Sequence, residues 1–290
     1  MRPAESVTAL TWQRFRRSKL AVGALIYVAT LALIALLAPA IASDRPSAPI
    51  PFGPNTVDIA HRLHPPDPEH QLGTDELGRD VLARVIHGAR VSLTVGFTAT
   101  AIALIVGSLL GALAGYYGGV LDWLVSRLIE VVLCFPFLFL VLGIVALFRP
   151  SLFTIMIALG LTSWTTEARF VRGEFLRIRE MEFALAARAS GARDWRIIVR
   201  HLLPNTLAPV LVSASFGVAT AILIESALSF LGMGVPIPTA SWGSILFSAE
   251  QNIEYAWWLP VFPGLAIFLT VAAFNIIGDR FRDALDPRTD

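Results

Sequence analysis

Residues 20–42 read LAVGALIYVATLALIALLAPAIA, an apolar run without a charged side chain. A helix needs about 20 apolar residues to cross the ~30 Å hydrocarbon core of a bilayer. Arg14, Arg16, Arg17 and Lys19 precede the run and small residues end it, as in a secretory signal. However, the run exceeds the ~7–15 apolar residues of a signal sequence. We therefore expect an uncleaved first transmembrane helix, with cleavage as the alternative.

Five further apolar segments follow, over residues 91–117, 128–148, 152–166, 205–231 and 258–277. None of them alternates with a period of two, which disfavours a β-barrel. Helices satisfy their own backbone polar groups in lipid. The fourth segment is short and is followed by Glu167. The pattern predicts an all-α polytopic membrane protein with six transmembrane helices, and five is the alternative count.

The composition agrees with a membrane protein. Of the 290 residues, 55% are hydrophobic and 16% charged, whereas soluble domains carry about 45–50% apolar and about 25% charged residues. This balance and the net charge of +1 exclude a disordered chain, a basic nucleic-acid binder and an ordinary cytosolic enzyme. Because Cys134 is the single cysteine, an internal disulfide framework and a cysteine-rich metal cluster are also excluded.

Arginine and lysine predict the orientation, because cytoplasmic segments carry an excess of both. With six spans, 17 of the 23 basic residues lie on the side of the N-terminus. We therefore expect both termini in the cytoplasm. The predicted organisation is an N-terminus and first helix over 1–42, an extracytoplasmic loop over 43–90, a five-helix core over 91–278 and a tail over 279–290. The end of the loop, residues 81–90, has apolar residues at helical spacing and is predicted to lie at the membrane interface.

The predicted inner loop, residues 169–204, has the highest charge density in the chain. A helix of small residues is expected from Glu182, with Gly191 at its end. Residues 193–204 are expected to form a second short helix that leads into the fifth span. Small residues on a helix face allow a partner to approach closely, and the surrounding arginines suit an acidic docking surface or hold the loop at the membrane.

The sequence carries no signature of catalysis. The only lysine is Lys19, which follows Ser18, so the chain cannot form a phosphate-binding loop of the GxxxxGK[ST] type. If ATP is used, another polypeptide must hydrolyse it. Glycine-flanked serines of the GxSxG kind are missing as well. His61, His64 and His70 lie near carboxylates in a proline-rich loop, and we interpret them as solvated loop residues rather than metal ligands.

Two features of the spans have both a functional and a structural interpretation. Glu225 lies inside the fifth apolar segment, where placing a charged side chain in the membrane costs free energy. Such a residue marks either a transport pathway or gate, or a pair with a polar neighbour that stabilises the fold. Gly107, Gly111 and Gly115 repeat every four residues along the second span, a spacing that lets another helix approach closely. They indicate either a moving subunit interface or static packing within the chain.

Several motifs together resemble a known family. They lie at residues 73–82 (GTDELGRDVL), 88–93 (GARVSL), 228–232 (LSFLG), 241–243 (SWG), 274–279 (FNIIGD) and 282–288 (RDALDPR). In this order they resemble the C-type permease subunit of dipeptide, oligopeptide and nickel ABC importers. Residues 182–204 resemble the cytoplasmic "EAA" loop of such permeases, but Leu185 stands where that loop has glutamate. Glu182 lies one helical turn earlier.

The resemblance implies a type I ABC importer permease with a coupling helix between the fourth and fifth spans. It implies a second homologous permease, two cytoplasmic ATPases or a fused one, and an extracytoplasmic solute-binding protein. ATP and magnesium would bind the ATPases, with no cofactor, metal or nucleic acid on this chain. Peptides are the expected cargo, with nickel or another small solute as the alternative. The implied location is a bacterial inner membrane, among lipid.

The resemblance also assigns candidate site residues, none of them catalytic. Coupling to the ATPases is expected at Glu182, Ala186, Ala187, Gly191, Asp194, Trp195, Arg196, Ile197 and Pro204. The translocation pathway or gate is expected at Glu225 and Asn275, and contact with the solute-binding protein at Arg79, Asp80 and Trp242. A stand-alone secondary transporter and a membrane enzyme remain as alternatives from other classes, although no internal repeat of the kind found in secondary transporters is visible.

Overall fold

The chain is described by a computed structural model over residues 7–285, so motif residues 286–288 lie outside the described part. Its α-helices are α1 (Val7–Arg17), α2 (Lys19–Ile41), α3 (Val81–Tyr117), α4 (Gly119–Leu133), α5 (Phe137–Phe148), α6 (Leu152–Ile178), α7 (Glu182–Ala189), α8 (Asp194–Ile197), α9 (Leu203–Phe230), α10 (Trp242–Ala249) and α11 (Trp258–Leu285). Between residues 7 and 285 the extended backbone pairs only as isolated bridges. The expected all-α fold is confirmed.

Four of the described helices are long and apolar enough to cross a membrane: α2, α3, α9 from Pro209 onward, and α11. Helices α4 and α5 pass the same test together but meet at an angle of 86°. Counting this bent pair as one span gives five. The count of six is not confirmed and stays a prediction, since it also requires α6, whose second half carries charges from Glu167 onward.

The longest helix, α3, has 37 residues and therefore extends about 55 Å. Asp80 caps its N-terminus, because the carboxylate accepts a 2.7 Å hydrogen bond from the backbone N–H of Ala83. Residues 81–90 are helical as predicted, but they form the first turns of α3 and not a stretch that precedes the second span. Val81, Ala83 and Ala89 are buried among neighbouring elements, and the position of this stretch at the membrane interface stays a prediction.

Glycines bring α3 and α6 into backbone contact. A Cβ atom at Gly107 would lie 2.7 Å from the carbonyl oxygen of Trp164, and one at Gly111 would lie 2.5 Å from that of Ala168. At Gly115 it would lie 2.6 Å from Cβ of Phe175. The glycine repeat therefore packs α3 against α6 of the same chain. Of the two interpretations, this favours packing within the chain over a moving subunit interface.

The bundle has two distinct ends. At the loop end, residues 43–80 and 231–257 cover the helices, and the Trp258 indole donates a 3.1 Å hydrogen bond to the carbonyl oxygen of Thr74. At the opposite end, which we name the hairpin end, α3 finishes beside α7 and α8. Helix α11 runs from Trp258 towards the hairpin end, where Phe281 packs edge-on against Phe15 of α1. Both described termini therefore lie at the hairpin end.

Candidate coupling hairpin and pathway residues

The hairpin consists of α7, a turn at Gly191 and α8. After α7, Gly191 adopts a φ of +75°, a left-handed conformation that favours glycine. The backbone N–H of Ala192 donates a 3.1 Å hydrogen bond to the carbonyl oxygen of Ala187 and closes the turn. Asp194 then begins α8. The helix from Glu182 and the glycine turn after it agree with the sequence prediction. The second helix, predicted over 193–204, is shorter, because α8 ends at Ile197.

The hairpin presents most of its candidate coupling residues to solvent. Glu182, Ala186, Gly191, Asp194, Trp195, Arg196 and Pro204 are exposed, and Ala187 is half-buried. Trp195 is 69% exposed, which is high for a residue that is buried on average in folded proteins. Ile197 is the exception among the candidates, because it is buried within the chain. Leu185, at the position where the family motif has glutamate, is also exposed.

The hairpin, and Arg179 just before it, contact the end of α3. The hydroxyl of Tyr116 donates a 2.6 Å hydrogen bond to Oδ1 of Asp194. Arg179, directly after α6, donates from Nη1 to the carbonyl oxygens of Gly115 at 2.9 Å and Tyr116 at 3.2 Å. The guanidinium of Arg188 lies 5.5 Å from the centre of the Tyr116 ring, within the range of a cation–π contact. The hairpin is therefore attached to the bundle at several points.

The hairpin continues directly into α9. Residues Ile198–Leu202 form one π-helical turn, and α9 starts at Leu203 with Pro204 in its first turn, where proline is tolerated. Ile197 and Leu202 are buried in the same cluster as Phe175 of α6. Helix α8 is therefore continuous with α9 through helical backbone.

Glu225 joins three elements near the loop end. Its Oε2 accepts a 2.9 Å hydrogen bond from Ser92 of α3, and its Oε1 accepts a 2.8 Å hydrogen bond from Ser229 of α9. Ser241, which caps α10, lies 3.4 Å from the Ser229 hydroxyl. The carboxylate is completely buried. These contacts favour the structural interpretation of Glu225 over that of a gate.

The second candidate pathway residue, Asn275, is half-buried on α11. It lies one turn before Gly278, where a Cβ atom would sit 2.9 Å from the ring of Phe216 of α9. Glu225 lies nine residues beyond Phe216. Among the described residues no hydrogen bond joins Asn275 to Glu225, so the structure does not assemble the two into one site.

Arg79, Asp80 and Trp242, the candidates for contact with a solute-binding protein, are all buried within the chain. The Nε of Arg79 donates to Asp75 at 2.7 Å, and Asp80 accepts from Nδ1 of His70 at 2.9 Å. The Trp242 indole donates to the carbonyl oxygen of Val85 at 3.0 Å. Asp75 holds Arg79 within the loop, whereas Asp80 and Trp242 connect residues of the loop end to one another and to α3. The expected contact with a solute-binding protein stays a prediction.

The three loop histidines have different partners. His70 pairs with Asp80 as described, and His61 Nδ1 lies 2.7 Å from a carboxylate oxygen of Asp58. That hydrogen bond raises the pKa of His61 above its usual value and lowers the pKa of Asp58. His64 Nδ1 lies 3.3 Å from Asp67. Each ring nitrogen named here faces an acidic side chain of the same loop.

Glu167 on α6 is, like Glu225, a buried carboxylate on one of the long helices, and it was not among the residues predicted from the sequence. Its Oε1 accepts a 2.7 Å hydrogen bond from Ser213 of α9, and its Oε2 is buried without a hydrogen-bond partner among residues 7–285. The residue lines a cavity of about 410 Å³ between α3, α6, α9 and the α4–α5 bend. The available signal was its position directly after the fourth apolar segment, which was interpreted only as a span boundary.

Comparison with known proteins gives consistent results. Residues 107–290 match the family "Binding-protein-dependent transport system inner membrane component", and residues 6–66 match the "N-terminal TM domain of oligopeptide transport permease C". The dipeptide transport system permease protein DppC of Alkalihalophilus pseudofirmus is 42% identical over 99% of this chain and 93% of its own length. The oligopeptide permease OppC of Bacillus subtilis is 36% identical over 95% of this chain and 88% of its own.

A solved structure also matches the fold. An inward-facing MetNI methionine ABC transporter contains a chain that superimposes with a TM-score of 0.58 at 20% identity. The match covers 70% of this chain and 96% of that one. At this level of identity the likeness shows the fold alone.

Proposed function

The chain belongs to the family of binding-protein-dependent transport system inner membrane components, and we propose that it forms half of a peptide pathway driven by separate ATPases. As a member it is a multi-pass inner-membrane permease subunit of an ABC importer. We propose a second, homologous permease as the other half of the pathway. Two cytoplasmic ATPases, or one fused ATPase, bind ATP and magnesium, and an extracytoplasmic solute-binding protein delivers the cargo.

The attachment of an exposed hairpin to buried helices is the observation that supports this mechanism best. The hairpin presents Trp195 and its neighbours to a partner, while Tyr116 and Arg179 bind it to α3 and the π-helical turn leads into α9. A partner that binds the hairpin differently in two nucleotide states shifts the bundle between two conformations. Movement of the ATPases would thus reach α3 and α9 together and drive alternating access.

The proposed topology places the hairpin and both termini in the cytoplasm. Its support is the excess of basic residues in these segments, together with the packing of Phe15 against Phe281 at the hairpin end. The loop end then faces the solute-binding protein. Exposed residues of the loop end would form that contact.

Peptides are the proposed cargo because the relatives at about 40% identity are named as dipeptide or peptide permeases. Import of nickel or another small solute by the same machinery is the alternative within the family. A stand-alone secondary transporter is disfavoured by the family match and by the exposed hairpin, which would have no partner in such a protein.

The test is the substitution Gly191→Glu in the transporter reconstituted in vesicles with its partner subunits. No atom lies within 4 Å of a Cβ at this position, so the side chain projects into the space that a docked ATPase would occupy. Gly191→Asn is the matched control, since asparagine tolerates a positive φ and carries no charge. We expect Gly191→Glu to insert normally and to abolish cargo-stimulated ATP hydrolysis, with Gly191→Asn largely active. Unchanged stimulation in Gly191→Glu would refute docking at this turn.

A further inference from the structure

The cavity beside the α4–α5 bend has a polar wall inside an otherwise apolar bundle. Thr100, Thr162, Thr165, Glu167 and Ser213 line it together with apolar side chains. Its volume of about 410 Å³ falls within the ~300–1,000 Å³ of small-ligand pockets. Non-helical backbone at membrane depth is tolerated where it is buried in protein or lines a water-filled cavity. At the bend, Leu133, Phe135 and Phe137 form part of this wall.

Glu167 is the only acidic residue among those that line this cavity, and it is 6% exposed. Its position is fixed, because its Cβ packs against Gly107 of α3 and its Oε1 accepts from Ser213. The Oε2 atom has no partner among the described residues, and neither does the hydroxyl of Thr100 in the same wall. Burying a carboxylate oxygen without a hydrogen-bond partner costs free energy. This cost points to a hydrogen-bond donor that binds Oε2 during function.

We propose that Glu167 contacts the cargo in the translocation pathway. Its carboxylate accepts a hydrogen bond from the protonated amino group of the peptide as the peptide passes. This inference rests on the proposed function. A cationic N–H donor matches the free carboxylate oxygen in charge and hydrogen bonding, and Thr100 supplies a second polar contact. An intramembrane ionisable residue that faces a cavity commonly marks a substrate path. Glu225 does not serve this purpose, because Ser92 and Ser229 occupy its two oxygens.

The charge of the cavity is tested with a cysteine at Ser163, which lines the cavity one turn before Glu167. The assembled transporter carries Cys134→Ser and Ser163→Cys and is treated with cationic and anionic thiol reagents of similar size. We expect the cationic reagent to react about tenfold faster, the scale of one interaction with a charged group. Glu167→Gln should remove this preference, whereas Glu167→Asp and the control Glu174→Gln should keep it.

The role in transport is tested by uptake of a dipeptide with a free amino group into vesicles. We expect Glu167→Gln to reduce uptake about tenfold and Glu167→Asp to restore part of it. The inference is overturned if Glu167→Gln keeps both the reagent preference and the uptake of the unmodified transporter, or if the cysteine at 163 reacts with neither reagent. Absence of peptide uptake in the unmodified transporter would instead contradict the proposed cargo. The reaction rates of the two thiol reagents would still show whether Glu167 makes the cavity selective for cations.

Discussion

The hydroxyl of Tyr116, one residue before the end of α3, donates a 2.6 Å hydrogen bond to Asp194, the first residue of α8. The two residues are 78 positions apart in the sequence. Their contact joins the bundle to α8, which is part of the proposed binding site for the ATPase. The relationship explains why a hairpin with few buried residues holds a defined position. It also predicts how coupling would be lost without loss of the fold.

Tyr116→Phe should weaken coupling. The substitution keeps the ring below Arg188 and removes only the hydrogen bond to Asp194, which contributes about 1–2 kcal/mol. We expect cargo-stimulated ATP hydrolysis in vesicles to fall several-fold while membrane insertion stays normal. The matched control is Tyr117→Phe, because Tyr117 is 50% exposed. Equal stimulation in the two variants would show that this hydrogen bond does not transmit coupling.

Gly111→Ala should destabilise the bundle. The new Cβ would lie 2.5 Å from the carbonyl oxygen of Ala168, so α3 and α6 would have to separate, at a cost of about 1–3 kcal/mol. The measurement is the midpoint of thermal unfolding in detergent. Gly23→Ala is the control, since no atom lies within 4 Å of a Cβ there, and its midpoint should stay equal or rise. A midpoint for Gly111→Ala equal to that of the control would contradict the close packing.

Removing the carboxylate of Glu225 should loosen α10. Glu225→Ala leaves the buried hydroxyls of Ser92 and Ser229 without their acceptor, and each unsatisfied group costs about 1–3 kcal/mol. We expect a lower unfolding midpoint and faster proteolysis between α9 and α10. Glu250→Ala, at an exposed glutamate, should change neither. If Glu225→Ala unfolds normally but alters transport, Glu225 belongs to the pathway after all.

The His61–Asp58 pair should respond to pH. The hydrogen bond to Asp58 raises the pKa of His61. While Asp58 is ionised, the ion pair is therefore fully present below the ordinary histidine pKa of about 6.5, and the charge on His61 is lost as the pH rises through the raised pKa. Asp58→Asn should therefore move the titration midpoint of His61, followed by NMR, to lower pH. An unchanged midpoint would mean that the pair does not form in solution.

Local patterns located most of the long helices, although the third apolar segment, 128–148, was predicted as one span and is divided between α4 and α5, which meet at 86°. Apolar runs located the long helices, and Gly191 marked the turn between α7 and α8, because both signals lie within a few consecutive residues. Residues 81–90 were predicted as a helical stretch at the end of a loop, and their amphipathic spacing could not show that the same helix continues to Tyr117. Here the packing against neighbouring elements decided the structure.

Long-range contacts set the roles that the sequence left open. The glycine repeat on α3 is explained by α6, and Glu225 is explained by Ser92, which lies 133 positions away. Glu167 was missed for the same reason, because its cavity forms only when four parts of the chain meet. Arg79, Asp80 and Trp242 were selected from a resemblance in sequence, which does not show that a side chain is buried.

The most direct measurement is a cross-link from the hairpin in the assembled transporter. Ser190 is exposed at the end of α7, and Gln71 is exposed at the loop end. The experiment compares Ser190→Cys with the control Gln71→Cys, each in a chain that also carries Cys134→Ser. We predict that the cysteine at 190 cross-links to an ATPase subunit and the cysteine at 71 does not. A cross-link from 190 to the solute-binding protein, or labelling of 190 from outside the cell, would contradict the proposed coupling and topology.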